Sequence, residues 1–267
     1  ATLVMDLWNL FLKRAFGIPS LDFCLLGRWL LHMPGGRFRH ASINAAARKP
    51  HECAVGSIAH YSIGAAFARE LAARGHHTST FDLGGGWPVP YTEGAVPPIE
   101  QYAEAIVPLL LDRSRAGLQV VLEPGRSILA NSGLLVARVQ HIKRGRAKTF
   151  VMCDAGMQTL IRPALYRAFH FVWPVAWQGT PPRWLEESDL PGLSTCDVVG
   201  PICETGDFLA RDRRLPPMAQ GDLVAIFSAG AYGMSMASNY NDHGRPAEVL
   251  VDGDKATVIN ERQTLAA

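Results

Sequence analysis

Apolar and polar positions follow two different rhythms along this chain, and the change falls near residue 130. Before it the spacing is helical. From about Asp6 to Gly75 the pattern predicts helices joined by loops, with Leu21 to His32 ended by Pro34-Gly35-Gly36. Ile63 to Arg74 is a second helix, Ala-rich with charges at helical spacing, and Gly75 stops it. Thr78 to Leu83 reads as a short buried strand running into Gly84-Gly85-Gly86. Pro98 to Ala116 is a further helix whose apolar face is Ile99, Tyr102, Ile106 and Leu109-Leu110. Leu118 to Leu122 is a strand ending in Glu123-Pro124-Gly125-Arg126. Helix alternating with strand, with special residues just past the strand ends, is how parallel α/β sheets and barrels build sites.

After about Ala130 short β-rich runs take over: LLVARVQHI, KTFVMCDA, LVAIFSA, AEVLVDG and KATVIN. Turn residues separate them, which predicts an antiparallel β-domain. Pro174 to Ser194, rich in Pro and Gly with charges, reads as a surface loop. The division is therefore 1–130, an α/β part, and 131–267, a β part.

Bulk properties narrow the function classes. The chain has 267 residues, 48% apolar and 19% charged, with a net charge of +2. That balance gives no electrostatic case for nucleic acid or an anionic membrane. The basic cluster Lys143, Arg144, Arg146 and Lys148 is short and reads as a solvated turn. The longest apolar stretch, Phe23 to Leu31, is broken by Arg28 and falls short of the ~18 residues that span a bilayer. The opening segment shows no cleavage site of a signal peptide. Cys24, Cys53, Cys153, Cys196 and Cys203 form neither CxxC pairs nor a disulfide framework, so a reducing cytoplasm is expected and no metal site.

Candidate chemistry sits at punctuated turns. Three glycines after Asp82-Leu83 strip the turn of side chains and expose amides, which suits a phosphate or, equally, any tight turn. A carboxylate expected to be buried beside a tight turn and an arginine, as in Glu123 to Arg126, serves as a structural ion pair or holds a ring nitrogen protonated. Arg162 and Tyr166, four residues apart in RPALY, offer bidentate carboxylate recognition with a phenol, or a surface Arg with a packing Tyr. Cys203-Glu204 joins a thiol to an acid on a Gly-punctuated loop, although buried cysteines are commonly small hydrophobes.

In order, the motifs GGG (84–86), EPGR (123–126), CDAG (153–156), RPALY (162–166), GPICETGD (200–207), GAYG (230–233), SNYN (238–241) and PAEVLVDG (246–253) resemble the diaminopimelate decarboxylase branch of the fold-type III pyridoxal-phosphate decarboxylases. The resemblance covers residues 78 to 253. It implies an alanine-racemase-like (β/α)8 barrel followed by a β-domain, in a cytoplasmic homodimer with shared active sites. It also implies pyridoxal 5'-phosphate held by Gly84, Gly85, Gly86, Gly125, Arg126 and Tyr232, with Glu123 facing the pyridine nitrogen. Arg126, Arg162, Tyr166, Glu204 and Tyr232 would bind an amino-acid substrate. Cys203, lent by the partner subunit, would be the proton donor. Glu204 points to a distal end bearing both amine and carboxylate, hence meso-2,6-diaminopimelate converted to L-lysine.

The chain departs from the family in three places, the mildest being Asp242-His243-Gly244, where relatives often carry an arginine. The Schiff-base lysine, in a Tyr-Ala-x-Lys-Ala-like strand motif, has no counterpart among Lys13, Lys49, Lys143, Lys148 and Lys255. The HxHxGS segment, whose second histidine stacks on the cofactor, has its nearest matches in Arg39-His40-Ala41-Ser42 and Cys53-Ala54-Val55-Gly56-Ser57; the second keeps the Gly-Ser but has Ala54 at the stacking position, and no stacking histidine is assigned. An incomplete barrel, lacking its first strands at the N-terminus, is the expectation. A non-catalytic, dimer-forming relative that binds a metabolite or partner, and a decarboxylase of another basic amino acid, are the alternatives.

Overall fold

A computed structural model describes residues 40–42 (backbone only), 65, 69, 72–75, 79–91, 96–146, 148–178 and 190–264. The expected helix Leu21 to His32, Lys49 and the segment around Ala54 lie outside the described residues. The chain divides into two compact units, Ala1–Val89 with Gly94–Ser127, and Pro90–Glu93 with Ile128–Ala267.

The first unit is parallel α/β. Strand β1 (His40–Ser42) pairs in parallel with β2 (Thr80–Asp82), and β2 with β3 (Gln119–Val121), Phe81 opposite Val120. Helix α1 (Ile99–Arg115) connects β2 to β3, the crossover that parallel pairing requires. Its buried face is Tyr102, Ile106 and Leu110, one residue per turn, packed with Phe81, Leu83, Trp87 and Leu118. Each such side chain contributes about 1.5–3 kcal/mol. Ile99, expected on that face, is exposed: it is the first residue of the helix and lies a turn outside the core. Ala65, Arg69, Ala72 and Ala73 are helical and Gly75 takes φ +83°, as the stop requires.

The second unit is a six-stranded sheet in the order β6-β9-β4-β5-β7-β8. Its strands are β4 (Leu135–Arg144), β5 (Thr149–Cys153), β6 (Val172–Pro174), β7 (Ser194–Val199), β8 (Phe208–Leu215) and β9 (Leu223–Ile226). Strand β4 is the spine, pairing with β9 through Leu135–Arg138 and with β5 through Val139–Arg144, with a register shift between Val139 and His141. The sheet is not wholly antiparallel as expected, because β5 and β7 pair in parallel. Their long connection contains β6 and the short helix α2 (Arg162–Tyr166), giving the chain room to return in the same direction. Pro174, expected in a surface loop, is buried at the end of β6. A separate hairpin joins β10 (Glu248–Asp252) to β11 (Lys255–Asn260).

Two polar ties fix the sheet's edges. Lys148 bridges Asp197 at 3.0 Å and Asp212 at 2.6 Å, joining β5, β7 and β8, so this member of the basic cluster is paired while Lys143, Arg144 and Arg146 stay exposed. Asp207 is buried, and its carboxylate accepts the N–H of Met157 (2.7 Å) and of Ile202 (2.6 Å). It occupies the space where side chains would stand at Gly156 and Gly200; a Cβ on Gly200 would lie 2.6 Å from Oδ1.

Asp207→Asn turns an amide N–H toward a backbone donor and is expected to cost about 1–3 kcal/mol, read as a lower urea midpoint by Trp fluorescence. Gly200→Ala should cost at least as much. Unchanged midpoints in both variants would contradict this account.

Candidate functional site

The sequence-predicted site residues form two groups, one in each unit. In the first, β2 and β3 end side by side, and the segments after them are tied together. Gly84 (φ +72°) donates its N–H to Asp82 Oδ1 at 2.7 Å, closing the turn. Its carbonyl accepts the N–H of Glu123 at 3.0 Å and the indole N–H of Trp87 at 3.3 Å. Gly86 is also left-handed, φ +93°, which a side chain would disfavour. A Cβ on Gly85 would meet the Glu123 carbonyl at 3.1 Å and stand 3.9 Å from its carboxylate oxygen. The glycine turn therefore leaves open the space facing the Glu123 carboxylate. Glu123 is exposed, Gly125 opens a short helix (Gly125–Leu129), and Arg126 follows half-buried.

In the second unit α2 places Arg162 inward, 9% exposed, while Tyr166 at the other end of the helix is 61% exposed. The guanidinium lies 4.4 Å from the ring centre of Tyr91 and 5.8 Å from that of Tyr232. Tyr232 has φ +63°, a conformation that costs of order 1–3 kcal/mol for a non-glycine residue and is common at ligand sites. The loop carrying Cys203 and Glu204 passes beside α2: a Cβ on Gly206 would lie 3.9 Å from that of Ala164. Glu204 Oε1 accepts the Gly206 N–H at 3.2 Å, and both Cys203 and Glu204 are exposed. Burial pushes Cys153 up to about 12 and Cys196 to about 11, leaving them inert. Cys203 is thus the accessible thiol among the described residues.

Three residues the motif reading passed over organise these groups. His170 is fully buried; its Nδ1 bonds the Phe227 carbonyl at 2.8 Å and its Nε2 meets Arg162 Nη1 at 3.0 Å. Because Arg162 can only donate and the carbonyl can only accept, His170 is the neutral Nδ1–H tautomer. Burial first, then the charges of Arg162 and Arg213, bring its pKa to about 4, against the Phe227 hydrogen bond. Tyr91 covers the guanidinium of Arg162. Asp207 holds the loop that precedes β8, and burial raises its carboxyl above the ordinary range despite two amide donors and nearby His243. A histidine in an apolar run and an aspartate after glycine carry no periodic signal, so only their motif neighbours pointed to them.

A sequence model described as the pyridoxal-dependent decarboxylase C-terminal sheet domain matches residues 2–230. The chain belongs to this pyridoxal-dependent decarboxylase family. Diaminopimelate decarboxylase of Neisseria meningitidis serogroup B is 48% identical over 195 residues, covering 73% of this chain and 44% of that protein. The Haemophilus influenzae enzyme of the same name is 46% identical over 184 residues, 69% of this chain and 41% of the other. Among solved structures, diaminopimelate decarboxylase from Helicobacter pylori complexed with L-lysine shares 36% identity and a TM-score of 0.67, covering 85% of this chain and 52% of that one. The M. jannaschii enzyme in co-complex with L-lysine gives 33% and 0.71, covering 85% and 49%. The chain spans less than half the length of these two curated relatives.

The residues present suit a phosphate-bearing pyridine ring: a side-chain-free turn at the carboxyl ends of parallel strands, facing a carboxylate, with Arg126 nearby in sequence. Neutral His170 has a consequence for stability. Its folded pKa lies below the ordinary 6.5, so between pH 6.5 and about 4 the unfolded chain binds a proton that the folded one refuses. Stability is unpenalised above pH 6.5 and falls as pH drops toward 4, by about 3 kcal/mol in all. Urea midpoints should fall more steeply over this window in the wild type than in His170→Gln. Parallel curves would contradict the assignment.

Proposed function

We propose that this chain carries the C-terminal, substrate-reading part of a pyridoxal 5'-phosphate-dependent decarboxylase that converts meso-2,6-diaminopimelate to L-lysine. The observation that carries the reading is that one chain holds a buried Arg162 guanidinium and presents an exposed Cys203-Glu204 pair, in a chain whose similar proteins are named diaminopimelate decarboxylases. A substrate with a second amino-acid end needs a cation for its far carboxylate and an anion for its far amine, and Arg162 of one subunit with Glu204 lent, like Cys203, by the other would supply that pair. Tyr166 and Tyr232 add phenols, and Arg126 a second guanidinium.

On the cofactor side, the residues that would hold the phosphate are Gly84 to Gly86, Gly125, Arg126 and Tyr232, and Glu123 would keep the ring nitrogen protonated. Gly84 serves through the shape of the turn, since its own N–H closes onto Asp82. When bound, the protonated ring takes up the electron pair left as CO2 departs. Cys203 then donates its thiol proton to that carbon, one proton replacing one CO2. We further propose a homodimer in the cytoplasm, with Cys203 serving the partner's site and a reducing milieu keeping it a thiol.

The covalent anchor is a separate matter. Lys143, Lys148 and Lys255, the described lysines, all lie on strands or turns of the second unit, and Lys148 is committed to Asp197 and Asp212. This favours, as a second reading, that these 267 residues alone bind metabolite without turnover. Borohydride reduction with pyridoxal phosphate is expected to leave no specific pyridoxyl-lysine by mass spectrometry; a stoichiometric adduct would overturn that reading.

For the protein carrying this chain together with a lysine-bearing segment, CO2 should be released from meso-diaminopimelate and not from ornithine. Cys203→Ala should lower kcat by about 10²–10⁴-fold, the usual worth of a positioned proton donor. Arg162→Ala should chiefly raise KM. Preference for ornithine or arginine would sink the substrate assignment.

A further inference from the structure

We propose that His170 is a positioning residue for Arg162: its Nε2 holds one edge of the guanidinium and so fixes the orientation in which it meets the substrate's far carboxylate. This deepens the function proposed above and rests on its assignment of Arg162.

The argument begins with what a buried guanidinium needs. It carries five N–H donors, and those not used by the ligand need acceptors inside the protein. A carboxylate there would also cancel the charge and compete with the ligand's own carboxylate. An imidazole that stays neutral accepts one N–H and leaves the cation undiminished. His170 meets both conditions: it bonds Arg162 Nη1 at 3.0 Å, while its other nitrogen is spent on the Phe227 carbonyl at 2.8 Å.

The imidazole cannot turn away. It is fully buried, its own carbonyl accepts from Arg213 Nη2 at 3.5 Å, and Tyr91 stands edge-on to it, ring centres 5.5 Å apart. The same Tyr91 covers the guanidinium at 4.4 Å. One edge and one face of Arg162 are therefore fixed by residues that make no claim on its charge. Among the described residues the charged groups facing the ring are Arg162 and Arg213, both cations, so protonating His170 would repel Arg162 as well as remove its acceptor.

Two variants separate the two nitrogens. Asn in place of His170 keeps a donor for Phe227 but loses the acceptor for Arg162; Gln keeps an acceptor within reach. In the full chain, solvent exchange of the Arg162 side-chain N–H signals, followed by NMR, should quicken roughly tenfold in His170→Asn and change less than about twofold in His170→Gln. In wild type, those signals should shift with a midpoint near pH 4 as His170 titrates.

Equal exchange rates in wild type and folded His170→Asn, or equal loss in both variants, would refute the proposal. If His170→Asn does not fold, the pH titration decides: Arg162 signals indifferent to His170 would refute it. Calorimetry with meso-diaminopimelate addresses the underlying function. In the lysine-complete protein, KM should rise about tenfold in His170→Asn with kcat within twofold. Wild type that binds no diaminopimelate refutes the assignment of Arg162, while the exchange result still judges His170.

Discussion

One carboxylate sets the geometry on which the recognition loop depends. Asp207 is buried between two turns, accepting an amide from each, and it fits there because Gly156 and Gly200 carry no side chains. A buried carboxylate is costly unless its lone pairs are met, so the two backbone segments are held wherever the acid requires them. The Gly200 to Gly206 loop consequently has a defined path past α2. Cys203 and Glu204 project from that path to the surface, Glu204 adding one local bond to the Gly206 amide.

The same division between frame and reagent recurs at the other predicted groups. The glycine turn after β2 is closed by Asp82 and braced by Trp87 and by the Glu123 amide, leaving the Glu123 side chain unencumbered by the bracing. Arg162 is set by His170 and Tyr91, neither of which carries charge at neutral pH. In each case a residue to which the motif assigns no chemistry fixes one to which it does.

That pattern explains what could be read from the sequence. Helix α1 and strands β2 to β5 and β9 to β11 announce themselves through periodicity and turn residues, and the order of the motifs points to the family by itself. Strand β8 was missed because Phe208–Leu215 is half charged and Asp212, at φ +53°, breaks the alternation of faces. Strand β7 begins with exposed Ser194 and Thr195 and has its one parallel partner far back in sequence, which no local window registers. His170 and Asp207 act through contacts 57 and 50 residues away, to Phe227 and Met157. Tertiary hydrogen bonds of that span leave no periodic trace. Glu123 was read as a buried carboxylate, but the described residues leave it exposed.

Because Asp207 fixes the loop and Glu204 only projects from it, the two tasks can change at different rates. On the proposed function, exchanging the acid at 204, or the residues flanking it, would alter which distal group is welcomed and leave the frame standing. Exchanging Asp207 or either glycine loses the frame whatever the ligand. A lineage built this way explores new amino-acid substrates through one or two neutral-to-fold substitutions, so diversification of specificity does not have to wait for a stabilising change elsewhere.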